Sequence, residues 1–416
     1  MKFNSNSVRK LITLHLFLVL VFLFFWSVFG LPWEIIYIFD IFVCVEFVWV
    51  LRSIQPVLRR TRCFHLISFF AVYVLYLLLT QICNFVSPVL SVLAFRKTFR
   101  FYLFFFACAV LLTENGIEKI MKMLLILQIP NLILSIYQYF VQNLNQDNLG
   151  GIFGIEKGAN AYSNVFLCLI CTYMIINYLA KKVKLLPMVL TIGSALLIAV
   201  LAELKIFFIE VVVIVLCAIL FSNPSARTIK TIVFSAIGFV AAIVLLGSIF
   251  PEHLAVLINF ALLMQYTTGK IHGYNISRLN AFSEINDLFF EDNVFRNLFG
   301  YGFGNCESGS SFYAKYGDYH YSWFSHQLIF LETGYIGVLL YLAFFALIFF
   351  YTTKAKKRNP ENSTYYTFTQ IIAILCVIWM VYNQTLHCEA AYLVFFVLAI
   401  PIAVQNNWVK QQYQES

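Results

Sequence analysis

A series of long apolar runs, each about as long as a hydrocarbon layer is thick, constrains this chain more than any other feature. A helix that crosses a bilayer needs about 20 apolar residues, and such a helix satisfies its own backbone hydrogen bonds in lipid. The runs are 11–29, 31–51, 64–83, 89–112, 121–140, 161–180, 185–202, 206–221, 231–250, 327–351, 366–386 and 389–404. The sequence therefore predicts an all-α, polytopic membrane protein with about twelve transmembrane helices.

The composition excludes an ordinary soluble protein and a nucleic-acid-binding one. Of the 416 residues, 61% are hydrophobic and 12% are charged, whereas soluble domains have roughly 25% charged residues. A net charge of +8 would suit nucleic acid, but the basic residues form short clusters between the apolar runs. The ten cysteines are scattered, mostly inside apolar runs, and predict no disulfide framework.

The basic clusters predict the orientation of the chain in the membrane. If the N-terminus is cytoplasmic and the runs alternate, every cytoplasmic segment carries at least one lysine or arginine, as the positive-inside rule expects. Both termini are then cytoplasmic. Helices one to nine occupy residues 1–250, an extracytoplasmic loop occupies 251–326, and helices ten to twelve with a cytoplasmic tail occupy 327–416.

Some basic residues fall outside, or in the outer half of a helix, and need another explanation. They are Arg96, Lys97, Arg100, Lys157, Lys205, Lys270, Arg278, Arg296 and Lys315. Arg96 and Arg100 are one helical turn apart and share a face, and ionisable groups at such depth usually serve a function. We predict that both contact a diphosphate or a lipid headgroup. Asp40 is the acid nearest the middle of the second helix, and we predict that it also serves a function.

The outer loop contains the elements of a site at the membrane surface. Apolar residues recur at roughly helical spacing over 279–298, with acids between them, which predicts an amphipathic helix at the interface. That stretch ends at Gly300, Gly302 and Gly304, a spacing typical of a tight turn. Most of the histidines also lie in this loop, among them His320 and His326.

Taken in order, these segments resemble the O-antigen ligase and polymerase superfamily of bacterial surface-polysaccharide assembly. The resemblance covers about half the chain, from Gly150 to the end of the tenth helix. It rests on 151–160, 201–205, Arg278 with the amphipathic stretch, 298–304, 325–327 and 332–337. Two positions depart from the family's pattern. Lys205 stands where many members have arginine, and Trp323 stands where the family's histidine usually lies, with His326 about one turn closer to Glu332.

The resemblance implies a metal-independent glycosyltransferase without a cofactor, in the inner membrane of a bacterium. It would polymerise oligosaccharide repeat units linked to polyprenyl diphosphate, as in O-antigen, capsule or exopolysaccharide synthesis. An acceptor hydroxyl would attack the anomeric carbon, and the lipid diphosphate would leave. The implied partners are membrane lipid, a chain-length regulator and a flippase.

Residue roles follow from this implied chemistry. A leaving diphosphate needs positive charge, and an acceptor hydroxyl gains from a neutral histidine as general base. The candidate diphosphate ligands are Arg278, Lys205, Arg96 and Arg100. The candidate bases are His326 and its rival His320, and the candidate substrate contacts are Asp40, Glu203 and Tyr319. Acids and histidines in the loop show no metal-ligand spacing.

Two alternatives to a polymerase remain open. A ligase that moves finished polysaccharide to another acceptor shares the fold and the site. A polysaccharide flippase or other transporter belongs to a different class, and transporters are usually built from internal repeats with sites near mid-membrane. The sequence contains no such repeat, and its unexplained charges gather at the outer face.

Overall fold

Each predicted apolar run lies on a helix in the computed structural model. The structure describes residues 5–144, 146–222, 226–249, 276–306 and 324–415, together with Pro251, Asn259, Leu262 and Tyr316. The first nine helices are α1 (Ser5–Phe29), α2 (Ile36–Arg60), α3 (His65–Cys83), α4 (Pro88–Leu111), α5 (Glu114–Phe140), α6 (Ala159–Leu179), α7 (Leu185–Leu201), α8 (Lys205–Phe221) and α9 (Ala226–Ile249). The others are the short α10 (Ala281–Ile285) and α11 (Val294–Phe299), then α12 (Ser325–Arg358), α13 (Ser363–Tyr382) and α14 (Ala391–Glu415). The described residues contain no strand.

The protein is an all-helical, polytopic membrane protein. Within the described residues, eight helices are long and apolar enough to cross a membrane, namely α1, α3, α5, α6, α9, α12, α13 and α14. Helices α2 and α4 have similar lengths, 25 and 24 residues, but carry charged side chains along them. Helices α7 and α8 have 17 residues each and meet at a turn around Glu203.

Three helices form the centre of the bundle. In the apolar windows of α6 and α14, 83% of the residues are buried, and 78% are buried in α13, against 33% in α5. Helix α14 is buried from Ala391 to Asn406 without interruption. Because α6, α13 and α14 are covered by other helices, polar side chains on them face protein and can find partners there.

The clusters of lysine and arginine lie at one end of the helix bundle, and the longer connecting segments lie at the other. At one end Arg9 donates to the Leu111 carbonyl at 2.8 Å, and Lys356 donates to the Phe221 carbonyl at 2.6 Å. The basic clusters around Arg60 and Arg358 lie at this end, where the Tyr351 hydroxyl reaches the Thr61 carbonyl. We call it the basic end. The connection after α5, the 276–306 segment and the start of α14 lie at the other end, which we call the loop end.

The predicted amphipathic helix is divided in two. Helix α10 continues as a π-helical turn, Asn286–Phe290, and then Glu291 and Asp292 take positive φ angles before α11 begins. Asn286 holds the two halves together, because its amide bonds to Asp292 at 2.5 Å and to Asn297 at 2.6 Å. The segment therefore folds back on itself instead of lying straight along the interface.

Glycines from two distant motifs pack backbone against backbone. Gly300 has φ +68°, and a Cβ on it would lie 2.3 Å from the carbonyl carbon of Glu332. Gly334 has φ +61° and interrupts α12, and a Cβ on it would lie 2.4 Å from the carbonyl carbon of Leu298. Only glycine fits such a close approach. These two glycines thus allow the backbone of the 300–304 turn to pack directly against the backbone of α12.

The interruption of α12 leaves backbone carbonyls free for other donors. The Tyr301 amide donates to the Leu331 carbonyl and the Gly302 amide to the Glu332 carbonyl, both at 2.9 Å. The Tyr76 hydroxyl of α3 lies 2.5 Å from the Thr333 carbonyl oxygen and 3.0 Å from that of Leu298. A buried carbonyl without a partner is costly, so these bonds hold the 300–304 turn on α12.

Candidate functional site

Arg278 is fixed at the loop end by its backbone and by two aromatic rings. Its carbonyl oxygen lies 2.8 Å from Nε2 of His326. The guanidinium carbon lies 4.8 Å from the centre of the Phe324 ring and 4.7 Å from that of Tyr382, within cation–π distance. Glu284 accepts hydrogen bonds from the amide and hydroxyl of Ser277, the residue before Arg278. Arg278 is therefore held in a defined position.

His326 uses both ring nitrogens to contact backbone carbonyls. Nδ1 lies 3.1 Å from the Met380 oxygen and Nε2 lies 2.8 Å from the Arg278 oxygen. Carbonyls only accept, and a neutral imidazole has one N–H, so a neutral ring donates to one of these two carbonyls at a time. The side chain is 3% exposed. In this arrangement His326 connects the end of α13 to the backbone of Arg278. The role of His326 as a general base remains a prediction.

Arg96 and Arg100 belong to a network of opposite charges. Arg96 Nε lies 2.7 Å from Asp40, and Arg100 lies 3.7 Å from the other oxygen of the same carboxylate. Arg100 also donates to Glu389 at 2.8 Å, and Glu389 accepts from the Tyr162 hydroxyl at 3.3 Å. Two arginines thus face two carboxylates from α2 and from just before α14. Asp40 is the counterion of both arginines, and Glu389 was not predicted.

A small cavity lies between α3, α4, α12 and the 300–304 turn. Its volume is about 60 Å³, and Lys97, Glu332 and His387 bring titratable groups to its wall. Glu332 accepts from the Cys306 amide at 3.2 Å. Burial lowers the pKa of His387 to about 4, so this imidazole is neutral at pH 7. The cavity therefore combines a lysine, a carboxyl group and an uncharged histidine.

The connection 383–390, between α13 and α14, joins these groups. It begins after Tyr382, whose ring lies against Arg278. The carbonyl of Asn383 accepts from the amide and the hydroxyl of Ser325, both at 3.0 Å. His387 then lines the cavity, and Glu389 binds Arg100. The connection thus contributes to both the cavity and the charge network, and Tyr382, the residue before it, contacts Arg278.

Sequence reasoning missed this connection, although a signal was present. Residues 383–389 read Asn-Gln-Thr-Leu-His-Cys-Glu, a polar stretch between two apolar runs. The predicted eleventh helix ran to residue 386 and the twelfth began at 389, so only His387 and Cys388 were left between them. In the structure α13 ends at Tyr382 and α14 begins at Ala391.

Lys205 and Glu203 lie in another part of the loop end. Glu203 has φ +53°, and its carbonyl accepts from the Lys205 amide at 2.9 Å. Burial raises the pKa of Glu203, and the positive charge of Lys205 opposes that shift. Gln146 and Asp147 also lie close enough to affect Glu203, which places the pair beside the connection between α5 and α6. The other two predicted site residues, His320 and Tyr319, lie outside the described residues.

A wider groove runs between α10, α11 and the part of α12 after Gly334. Its volume is about 640 Å³, and none of the side chains that line it is charged. Three asparagines and a serine supply amide and hydroxyl groups: Asn280, Asn286, Asn297 and Ser283. The ring of Tyr335, which is partly exposed, forms another wall. Because Leu279 is part of the lining, the groove begins directly after Arg278 in the chain.

The described part of the chain places no three His, Cys, Asp or Glu side chains together as metal ligands. The sequence matches no protein-family model and no curated protein.

Proposed function

We propose that this protein is a glycosyltransferase similar to the O-antigen ligase and polymerase superfamily. It polymerises polyprenyl-diphosphate-linked oligosaccharide repeat units at the extracytoplasmic face of a bacterial inner membrane. One observation carries the proposal: the separate segments of the resemblance contact one another. Arg278 binds His326 through its carbonyl, and the 300–304 turn packs on Glu332 and Gly334. If these segments form one active site, they must contact one another in this way. The sequence showed only the order in which they occur.

The cations at the loop end suit a diphosphate leaving group. Charge that develops on the leaving oxygen is best stabilised by positive groups already held in place. Arg278 is such a group, because two rings and a backbone contact fix it. Arg96 is partly exposed and supplies a second positive charge for the diphosphate. Arg100 is buried between two carboxylates, and its role is to hold Asp40, the partner of Arg96, in place.

The groove beside Arg278 suits the sugar chain. Neutral sugars present hydroxyl groups, which amides can bind as donors and as acceptors, and C–H faces, which pack on aromatic rings. A lining of asparagines, a serine and Tyr335 without charged side chains has this chemistry. The volume of about 640 Å³ lies in the range of about 300–1,000 Å³ that is usual for ligand sites.

Reconstitution tests the proposed function. Purified protein in vesicles, supplied with a polyprenyl-diphosphate-linked repeat unit, should produce a ladder of products that differ by one repeat. New glycosidic bonds without a ladder, formed only when a second acceptor is added, would indicate a ligase. Movement of the lipid across the vesicle membrane with no new bond would contradict the proposal and support a transporter.

The same assay tests metal independence. We expect the rate of ladder formation to stay within twofold (roughly 0.4 kcal/mol) in excess chelator, because positive side chains supply the charge that a metal would otherwise supply. The control is a parallel reaction in which the chelator is saturated with Mg²⁺. A loss in chelator that added Mg²⁺ or Mn²⁺ reverses would show that the transferase needs a metal.

The proposed orientation predicts opposite sides for the two ends of the bundle. A reporter fused after Asp292 at the loop end should read as extracytoplasmic, and one fused after Arg358 at the basic end as cytoplasmic. The reason is the clustering of lysine and arginine at the basic end. A fusion after Glu415 should match the Arg358 fusion. Equal signals from the first two fusions would contradict the proposed alternation.

A further inference from the structure

His387 lines the cavity beside the 300–304 turn and has a ring nitrogen that makes no hydrogen bond to the described residues. Nε2 of His387 is buried and has no hydrogen-bond partner among the described residues. The ring stacks on Tyr341, with centres 5.5 Å apart and an angle of 17° between the planes. The backbone amide of His387 bonds to the Gln384 carbonyl at 2.8 Å, so ring and backbone are both held. A buried polar atom without a partner calls for an explanation.

His326, the histidine expected to be the base, is in the opposite situation. Both of its nitrogens face backbone carbonyls at 3.1 Å or less. A general base must offer a lone pair to the hydroxyl that it deprotonates, and His326 would have to give up a backbone contact to do so. His387 needs no such change, because its Nε2 is already unused.

We propose that His387 is the general base of the transfer, and that the acceptor hydroxyl enters the cavity that His387 lines. This inference rests on the proposed function. The acceptor oxygen forms a bond to the anomeric carbon while its proton passes to the imidazole of His387. The bond from that carbon to the diphosphate oxygen breaks, and the diphosphate leaves with the electron pair. The cavity volume of about 60 Å³ is enough for a hydroxyl group, because about 10–15 Å³ is enough for a water molecule.

The groups around the cavity determine how readily His387 accepts the proton. Tyr73 from α3, Lys97 from α4, and Glu332 and Tyr341 from α12 face it. A carboxylate at Glu332 favours the imidazolium, whereas the positive charge of Lys97 opposes it. Binding of the donor adds the negative charge of the diphosphate, which neutralises nearby cations and strengthens the base. Proton transfer is thus coupled to the presence of the donor.

Single-turnover transfer by purified full-length variants tests the proposal. His387→Gln, His387→Asn and His387→Ala should each lower the rate of bond formation by about 10²–10⁴-fold, the usual loss for a positioned base. Binding of the lipid-linked repeat should stay within threefold of wild type. His326→Gln retains an N–H donor for one carbonyl, and its rate should fall by less than tenfold. Rates are referred to protein that elutes as one peak in size-exclusion chromatography, so unfolding is not counted as lost chemistry.

The outcomes separate this inference from the proposed function. If all His387 variants transfer within tenfold of wild type while Arg278→Ala does not, His387 is not the base and the proposed function stands. If His326→Gln is the variant that loses 10²-fold or more, the base is His326 and our inference is wrong. If wild-type protein forms no glycosidic bond, the proposed function itself fails.

Discussion

Replacing Arg278 by alanine is expected to reduce polymer formation by at least about 100-fold, the typical effect of losing one preorganised group that stabilises developing negative charge. The protein should still reach the membrane in normal amount. The guanidinium lies between the rings of Phe324 and Tyr382, whereas the contact with His326 uses the backbone carbonyl of Arg278. Alanine therefore removes the charge and leaves the backbone contact in place. The measurement is initial ladder formation by equal amounts of folded protein.

Two further substitutions make the Arg278 experiment specific. Arg278→Lys should recover part of the activity, because one point charge replaces a planar group that can bind phosphate with two hydrogen bonds. Arg296→Ala is the matched control, because Arg296 lies in the same segment over the ring of Tyr301. Its guanidinium donates at 3.3 Å to the Tyr301 hydroxyl and at 3.4 Å to the Phe289 carbonyl. Wild-type polymer from Arg278→Ala, or equal losses in Arg278→Ala and Arg296→Ala, would remove Arg278 from the mechanism.

Replacing Gly334 by alanine should unfold the loop end. A positive φ at a residue other than glycine costs about 1–3 kcal/mol. The added Cβ would also lie within 2.6 Å of three backbone atoms of Asn297 and Leu298, which cannot move aside as a flexible side chain can. We expect a lower thermal unfolding temperature in detergent and loss of transfer, because the 300–304 turn would separate from α12 and open the cavity.

Gly193 provides the control for this substitution. It lies inside α7, and a Cβ added there would meet no atom within 4 Å. In a helix interior, alanine is more favourable than glycine by about 1 kcal/mol, so Gly193→Ala should unfold at the wild-type temperature or above it. If Gly334→Ala unfolded at the same temperature as Gly193→Ala, the close contact between the turn and α12 would not exist in the protein.

The amino-acid sequence predicted the helices and their approximate ends. Each predicted run coincides with a helix, and most boundaries differ by a few residues; the run 64–83, for example, became His65–Cys83. The physical reason is local, because a hydrocarbon solvent demands long apolar stretches whose backbone bonds close within the same segment. The basic clusters are local signals too, and the structure gathers Arg9, Arg60 and Arg358 at one end. The number of true membrane spans and their orientation stay predictions.

The partners of the charged and polar side chains depend on how the helices pack, and the sequence did not predict them. Arg100 and Glu389 are 289 positions apart, and Arg278 and His326 are 48 apart, so no helical period relates the members of either pair. The division of the amphipathic stretch at Glu291 also escaped the sequence, because side-chain bonds between its two halves favour the fold-back. A charge in a low-dielectric interior must be paired or it costs several kcal/mol. Helix packing determines which opposite charge lies within reach. Here it placed Tyr382 against Arg278, His387 at the cavity and Glu389 against Arg100.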